Sequence, residues 1–440
     1  MNYNKLIEKA LEKGFSDIEV AVNFSTVTSI SVFSGEIDKN HTHDEVAMTI
    51  RAIYNGKMAY LSTSKADEDL DLILEKLKEN AQSLTTNEEF EIFAGSEKYP
   101  DFETRDGGFS KISLADKVNA LFDLEKEVKA YDERIILVPH CGYEEVIQTK
   151  KLINSKGLNL ERKKEFAYIY VQAVGKENEQ TQAAFEIEIK NNYADIDPII
   201  VAQKVAKKVI KKLNADALPS KVYPVVFDKE AMTNLLEVFS TFFSGEAAVK
   251  KLTPLLGKEG EKLFSELVTI VDEAIYPDSV HNEPFDDEGV ACYQKNVVEN
   301  GVFKTLLHNL KTAKYFKTTS TGNGFRAGGA VSVRGVNFYI QPGEFTQEEL
   351  IKDIEEGVLI TDVSGLHAGA NPITGDFSAQ SSGFLIKNGK IDRPVTLIVV
   401  SGNFMEVLNQ IEAIGNDIKF NTSGVGAPSI KLKGLPISGK

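Results

Sequence analysis

Residues 228–245 read DKEAMTNLLEVFSTFFSG, and the rest of the chain is organised around them. Met232, Leu235, Leu236, Phe239, Phe242 and Phe243 fall at i, i+3, i+4, i+7, i+10 and i+11. A helix turning about 100° per residue gathers all six on one face. Asp228 is placed to cap the N-terminus and Gly245 to end the helix as its C′ residue. Such a stripe packs a core. The stretch holds no histidine or cysteine, the donors a zinc site most often uses.

Immediately upstream, KVYPVVFD reads as a short strand, and from Leu267 onward strands alternate with Gly-rich turns. Asn300-Gly301 and Asn388-Gly389 sit between apolar runs and read as hairpin turns. Helices are expected at about 346–356 and 403–413. Residues 219–440 therefore form a large, mostly antiparallel α+β domain. Residues 1–85 read as a helix at 4–13, four strand-like runs (IEVAVNF, VTSISVFSG, EVAMTIRAIY, KMAYLST) and a helix from about Asp67 to Ser83, with a hairpin turn at Asn55-Gly56. Residues 86–112 are polar and aperiodic, a surface connection. The same plan then recurs over 113–218, with Ser113 capping a helix, four strand-like runs and a helix at about 199–213. The fold class is α+β: two consecutive helix/antiparallel-sheet/helix units followed by the larger C-terminal domain.

A 440-residue chain with 42% hydrophobic and 26% charged residues has the composition of a soluble globular protein of two or three domains. Its net charge of -15 disfavours direct nucleic-acid binding, which needs clustered Lys and Arg. The basic run at 204–212 reads as the polar face of a helix. Cys141 and Cys292 lie far apart and outside any CxxC, which points to reduced thiols in a cytoplasmic protein. The charged N-terminus has no apolar h-region, and no apolar run approaches the about 18 residues of a membrane span.

No G-x-S-x-G, P-loop, dinucleotide fingerprint or H-E-x-x-H occurs. His41 and His43 would share a side if they lie on a strand, so a metal is geometrically allowed. Their neighbours Asn40, Thr42 and Asp44 favour an exposed loop. His281 stands near Glu283, Asp286, Asp287 and Glu288, which read as a solvated acidic loop or, less simply, a cation site. TGNGFRAGG (321–329) reads as a tight turn or as a backbone close to a ligand.

PFDDEGV (284–290), VVENGVFKTLLHNLKTAKYF (297–316), TGNG (321–324), ITGDFSAQSSGFLIKNGKI (373–391) and IGNDIKF (414–420) together resemble the TldD/PmbA family of metallopeptidases and their partners, on its PmbA (TldE) branch. The resemblance implies that the catalytic branch carries H-E-x-x-x-H on a helix and a later cysteine as zinc ligands, with the glutamate activating water. Set against LLEVFSTF, that motif places Glu237 and Phe242 at the histidine positions and Val238 at the glutamate position. NTSGVGAPSIKL (421–432), where the third ligand would fall, has no cysteine. A hydrolytic zinc needs three protein ligands and an open position.

The resemblance therefore implies no catalytic residue, metal or cofactor in this chain. It implies a non-catalytic subunit of a cytoplasmic peptidase acting on unfolded or extended peptides, with zinc in a TldD-like partner, a heterodimer with that partner and a homodimer when alone. Thr321, Gly322, Asn323, Gly324 and Arg326 are the candidate contacts with substrate or partner. The alternatives are a chain that hydrolyses peptides by itself, and a regulatory binding protein of the gyrase-modulator kind.

Overall fold

The structure is a computed structural model that describes residues 2–65, 69–85, 91–327 and 330–440. The first unit runs α1 (Tyr3–Glu12), β1 (Phe15–Phe33), β2 (Glu36–Tyr54), β3 (Lys57–Thr63) and α2 (Leu70–Ser83). The second runs α3 (Leu114–Tyr131), β4 (Ile135–Asn154), β5 (Asn159–Glu177), β6 (Gln180–Lys190) and α4 (Pro198–Lys212). Each unit has three strands where four runs were expected, because the first two runs of each join into one strand of 19 or 20 residues. His41 and His43 lie on β2, an exposed strand in place of the expected loop. The predicted start of α2 at Asp67 falls outside the described residues, and Asp69 caps the part described.

The two units share one sheet, in the order β3-β2-β1-β4-β5-β6, because β1 pairs antiparallel with β4 from Glu19↔Asn154 to Val32↔Cys141. Alternation along β1 explains how a single strand serves three neighbours. Ile18, Val20 and Val22 are buried with α1 and α2, while Ile30 and Val32 are buried with α3 and α4. On the opposite face, Ala21 packs with Leu152, Leu158 and Phe285 of the C-terminal domain.

That domain contains β7 (Lys221–Phe227), α5 (Lys229–Phe239), α6 (Gly245–Val249), β8 (Ile270–Glu273), β9 (Lys295–Glu299), β10 (Val302–Phe303), α7 (Leu310–Phe316), the hairpin β11 (Gly324–Ala327) and β12 (Ala330–Val333), and β13 (Asn337–Ile340). It continues through α8 (Gln347–Ile351), β14 (Glu356–Ser364), α9 (Leu366–Gly369), β15 (Asp376–Lys387), β16 (Lys390–Asn403), α10 (Phe404–Asn409), β17 (Ile411–Ile414), β18 (Lys419–Phe420), β19 (Val425–Ala427) and β20 (Ile430–Ser438). β16-β15-β14-β7-β20 close into a barrel through a β16–β20 pairing, and β10-β9-β8-β13-β19-β18 form a second sheet. Asn55-Gly56, Asn300-Gly301 and Asn388-Gly389 sit in hairpins with positive φ at both residues, as a type I′ turn requires. The expected helix at 403–413 stops early, since Ile411 and Ile414 pair with β20 instead.

The six apolar residues of the opening stretch are all fully buried, in one cluster with Val225 and Ile360 of the barrel and Phe338 and Val425 of the second sheet. Asp228 caps α5 by accepting from Ala231 N at 2.8 Å. The C-terminal expectation fails. The α-helix stops at Phe239 and tightens into a 3₁₀ turn over 240–243, where Ser240 Oγ donates to Glu237 O at 2.7 Å. Gly245 is no C′ residue but the first residue of α6. A Cβ there would lie 2.4 Å from His308 Nδ1 and 2.8 Å from Leu307 O, so glycine is required by close approach.

Burial pushes the Asp228 carboxyl up to about 7. A raised folded pKa makes a contribution that is complete below the unfolded value of about 3.9 and is lost as pH climbs through the folded one. Asp228→Asn keeps a capping side chain and should flatten the part of the decline in stability between about pH 4 and 7 that Asp228 causes. Unfolding curves across that range check it, and an unchanged pH slope would sink the assignment.

Candidate functional site

The positions aligned with the family's zinc ligands lie where α5 meets the 418–427 segment. Thr233 fixes that contact from both sides: its Oγ1 donates to Lys419 O at 3.1 Å and accepts from Ala427 N at 2.9 Å. One turn on, Glu237 accepts from Asn421 Nδ2 at 2.8 Å and from Ser423 Oγ at 2.5 Å. The Glu237 carboxylate is thus tied to the segment in which the catalytic branch would carry its cysteine. Phe242 is fully buried between Phe239 and Phe404, with ring centroids 5.5 and 6.2 Å away. Val238 packs against the same core. One carboxylate already engaged as an acceptor, one phenyl and one isopropyl do not fit a zinc ion. Among the described residues, no group of three or more His, Cys, Asp or Glu side chains is arranged to hold a metal.

Beside this point a cavity of about 520 Å³ opens between β6 and α5, with Phe185, Ile187, Thr233, Asn234, His281 and Asn421 in its walls. His281 Nε2 lies 3.1 Å from Asn421 O, and burial pulls the imidazole down to about 4, so it is neutral near pH 7. Four charges lock the cavity's two sides together. Lys208 on α4 reaches Glu186 at 2.6 Å and Glu230 at 2.8 Å, and Lys419 reaches the same two at 3.0 and 2.9 Å. Burial alone would raise the Glu230 carboxyl, but Lys208 and Lys419 override it and hold it at about 2. Three of the five lysines in the basic run of α4 are thus paired, since Lys204 and Lys212 also reach Glu188 and Asp362.

The expected contact residues Thr321, Gly322, Asn323 and Gly324 lie inside the molecule. Asn323 donates to Asp272 Oδ2 at 2.7 Å and Arg334 O at 2.9 Å, and accepts from Thr321 Oγ1 at 2.7 Å. Lys295 completes the network at 2.8 Å from Asp272. Gly322 has φ +70° and lies against Ala291 O, so glycine is required there by a tight turn packed against the chain's own backbone. Arg326 lines a cavity of about 510 Å³ walled by β1 and β2, and its Nη2 lies 3.1 Å from Glu19 Oε1. Gly328 and Gly329 lie outside the described residues.

The acidic run after His281 is not a solvated loop. Glu283, Asp286 and Glu288 are buried; Asp286 accepts from Glu288 N, Val290 N and Gly324 N within its own domain, while Glu283, Asp287 and Glu288 join the C-terminal domain to the sheet of the first two units. Arg162 Nε and Nη2 grip Glu283 at 2.8 and 3.0 Å, with Lys164 at 2.8 Å. Lys150 meets Asp287 at 2.5 Å, and Arg51 bridges Glu19 at 2.7 Å and Glu288 at 3.3 Å. Sequence reasoning missed this seam because its cations come from β2, β4 and β5, more than a hundred residues away. The available signal was local: Arg51 lies within the apolar run of β2, and Arg162, Lys163 and Lys164 are consecutive on β5.

Models of the PmbA/TldA metallopeptidase family match three segments: domain 1 over 18–81, the central domain over 107–213 and the C-terminal domain over 220–439. A metalloprotease of Methanocaldococcus jannaschii is 25% identical over 96% of this chain and 94% of its own length. A metalloprotease PmbA homolog of Haemophilus influenzae is 29% identical over 70% of this chain and 66% of its own. Two crystal structures superpose along the whole chain: a protein from Thermotoga maritima named as a DNA gyrase modulator (TM-score 0.92, 31% identity, 99% of both chains) and TldE from Thermococcus kodakarensis (TM-score 0.89, 25% identity, 99% and 100%). Cys141 and Cys292 are free and buried, and no helix among the described residues is long and apolar enough to cross a membrane. With family domains matched from residue 18 to residue 439, the chain belongs to the PmbA/TldA metallopeptidase family.

Proposed function

We propose that this chain is the PmbA/TldE-like, non-catalytic subunit of a cytoplasmic TldD/TldE-type zinc peptidase acting on unfolded or extended peptides. It pairs with a TldD-like subunit that holds the zinc, and it self-associates as a homodimer when alone. The observation that carries this reading is the use of the ligand positions for packing: Phe242 is sealed in the core and Glu237 is hydrogen-bonded to Asn421 and Ser423. A hydrolytic zinc gains its activated water only from a complete ligand set with an open position. The long strands and the cleft beside β6 suit an extended chain, whose backbone can pair with a sheet edge.

The test is zinc content and peptidase activity of the purified chain, alone and mixed with a TldD-like subunit. The expected result is no chelator-sensitive activity alone and activity in the mixture that depends on this chain. Chelator-sensitive hydrolysis by the lone chain would overturn the proposal.

A further inference from the structure

His41 and His43 take no part in that reading. They stand at i and i+2 on β2, so both side chains leave the sheet on one side. Their rings stack with centroids 5.3 Å apart and planes 19° apart. Glu45, next on that side, lies 2.9 Å from His43 Nε2. Asp44 faces the other way, where Thr26 Oγ1 donates to it at 2.7 Å. β3 covers β2 only from Met48 to Tyr54, and residues 36–45 are all exposed. Among the described residues no strand lies outside the two histidines. The same-side neighbours across on β1 are Ser25, Val27 and Ser29, and along β2 the pair is flanked on that side by Lys39 before His41 and Glu45 after His43.

We propose that His41 and His43 form a two-imidazole site for a divalent transition metal, copper(II), nickel(II) or zinc(II), with Glu45 orienting the His43 ring. A metal bound at about 2.0–2.1 Å from each nitrogen needs the two nitrogens about 3.3 Å apart in tetrahedral geometry. Nearly parallel rings at 5.3 Å reach that spacing by small side-chain rotations, which exposed groups make freely. When Glu45 accepts the Nε2 proton of His43, Nδ1 is left with its lone pair for the metal. The chain supplies two nitrogens, in keeping with the absence of any three-ligand cage among the described residues, and water fills the remaining positions. Copper(II) binds most tightly of the three, as the general affinity order for such donors requires.

The experiment titrates the full chain with copper(II), and separately with nickel(II), by calorimetry, and records the copper spectrum by electron paramagnetic resonance. One ion per chain with two nitrogen ligands is expected. His41→Ala or His43→Ala should weaken binding tenfold or more, and Glu45→Gln about tenfold. Thr42→Ala, on the opposite side of the strand, should leave it unchanged. Undiminished binding by the double variant H41A/H43A, a copper spectrum without nitrogen coordination, or an equal loss in Thr42→Ala would overturn the site. The outcome is separable from the peptidase reading: metal lost with H41A/H43A belongs to this site, and only zinc retained by that variant bears on α5.

Discussion

Phe242→Ala is expected to destabilise the C-terminal domain by about 3–5 kcal/mol, the cost of emptying a sealed aromatic site. The ring is fully buried, and the backbone around it is pinned, so collapse onto the cavity is obstructed. Thr253 Oγ1 donates to Phe242 O at 2.6 Å, and Leu307 N donates to Phe243 O at 2.7 Å. Phe242→Leu, which keeps most of the volume, should cost clearly less. Phe242→His is the informative companion. It introduces the residue type that the resemblance implies for the catalytic branch, yet it buries an imidazole against the rings of Phe239 and Phe404, so it should lower stability without conferring zinc binding. Denaturant unfolding followed by circular dichroism checks both. A Phe242→Ala variant within about 1 kcal/mol of the parent would mean that the 240–243 turn is loose.

The second large effect is at the seam. Glu283→Gln should cost about 3–5 kcal/mol, because it leaves the Arg162 guanidinium charged and buried without its counter-ion, while Lys164, which burial already pulls down to about 7, loses the carboxylate that helps hold its proton. Replacing all three together by apolar residues of similar size should cost much less, since the penalty comes from an orphaned charge and not from loss of a bridge. Burial alone would raise the Glu283 carboxyl, but Lys164, Arg162 and Lys150 override it and hold it far below the usual range. A depressed folded pKa gives stability that is complete above the unfolded value of about 4.3 and is lost as pH falls further. The parent should therefore lose the Glu283 contribution in acid, and Glu283→Gln should remove that part of the acid dependence. Unfolding curves from pH 3 to 7, with limited proteolysis near residues 91–112 to report separation of the units, measure it. A single variant as stable as the parent would refute the seam's role.

Local patterns account for much of this molecule. The turns at Asn55-Gly56, Asn300-Gly301 and Asn388-Gly389 were legible because a type I′ turn is decided by two residues. The Asp228 cap and the apolar stripe of α5 were legible for the same reason: caps and helical faces depend on neighbours within a few positions. The joining of VTSISVFSG to IEVAVNF was not, since Ser25 and Thr26 read as a break until β2 and β4 pair on either side of them. The same holds for His41 and His43, whose neighbours favour a loop in isolation but are carried into β2 by the partner strand. In the candidate site, that Glu237 and Phe242 stand where the resemblance implies histidine ligands, and Val238 where it implies the glutamate, could be read from residue identity. What those residues do instead could not, because Asn421 and Ser423 lie more than 180 residues away.

By itself the sequence determined the α+β class, the family and the core stripe of α5, all of which rest on residue identity or on spacing within one element. Only the tertiary structure decided that two units share one sheet, that the acidic run is a buried seam, that TGNG lies in the interior and that Glu237 is tied down. These are matters of pairing between distant charges and strands. A carboxylate reads as solvated until the arginine that desolvates with it is found, and that partner is chosen by the fold.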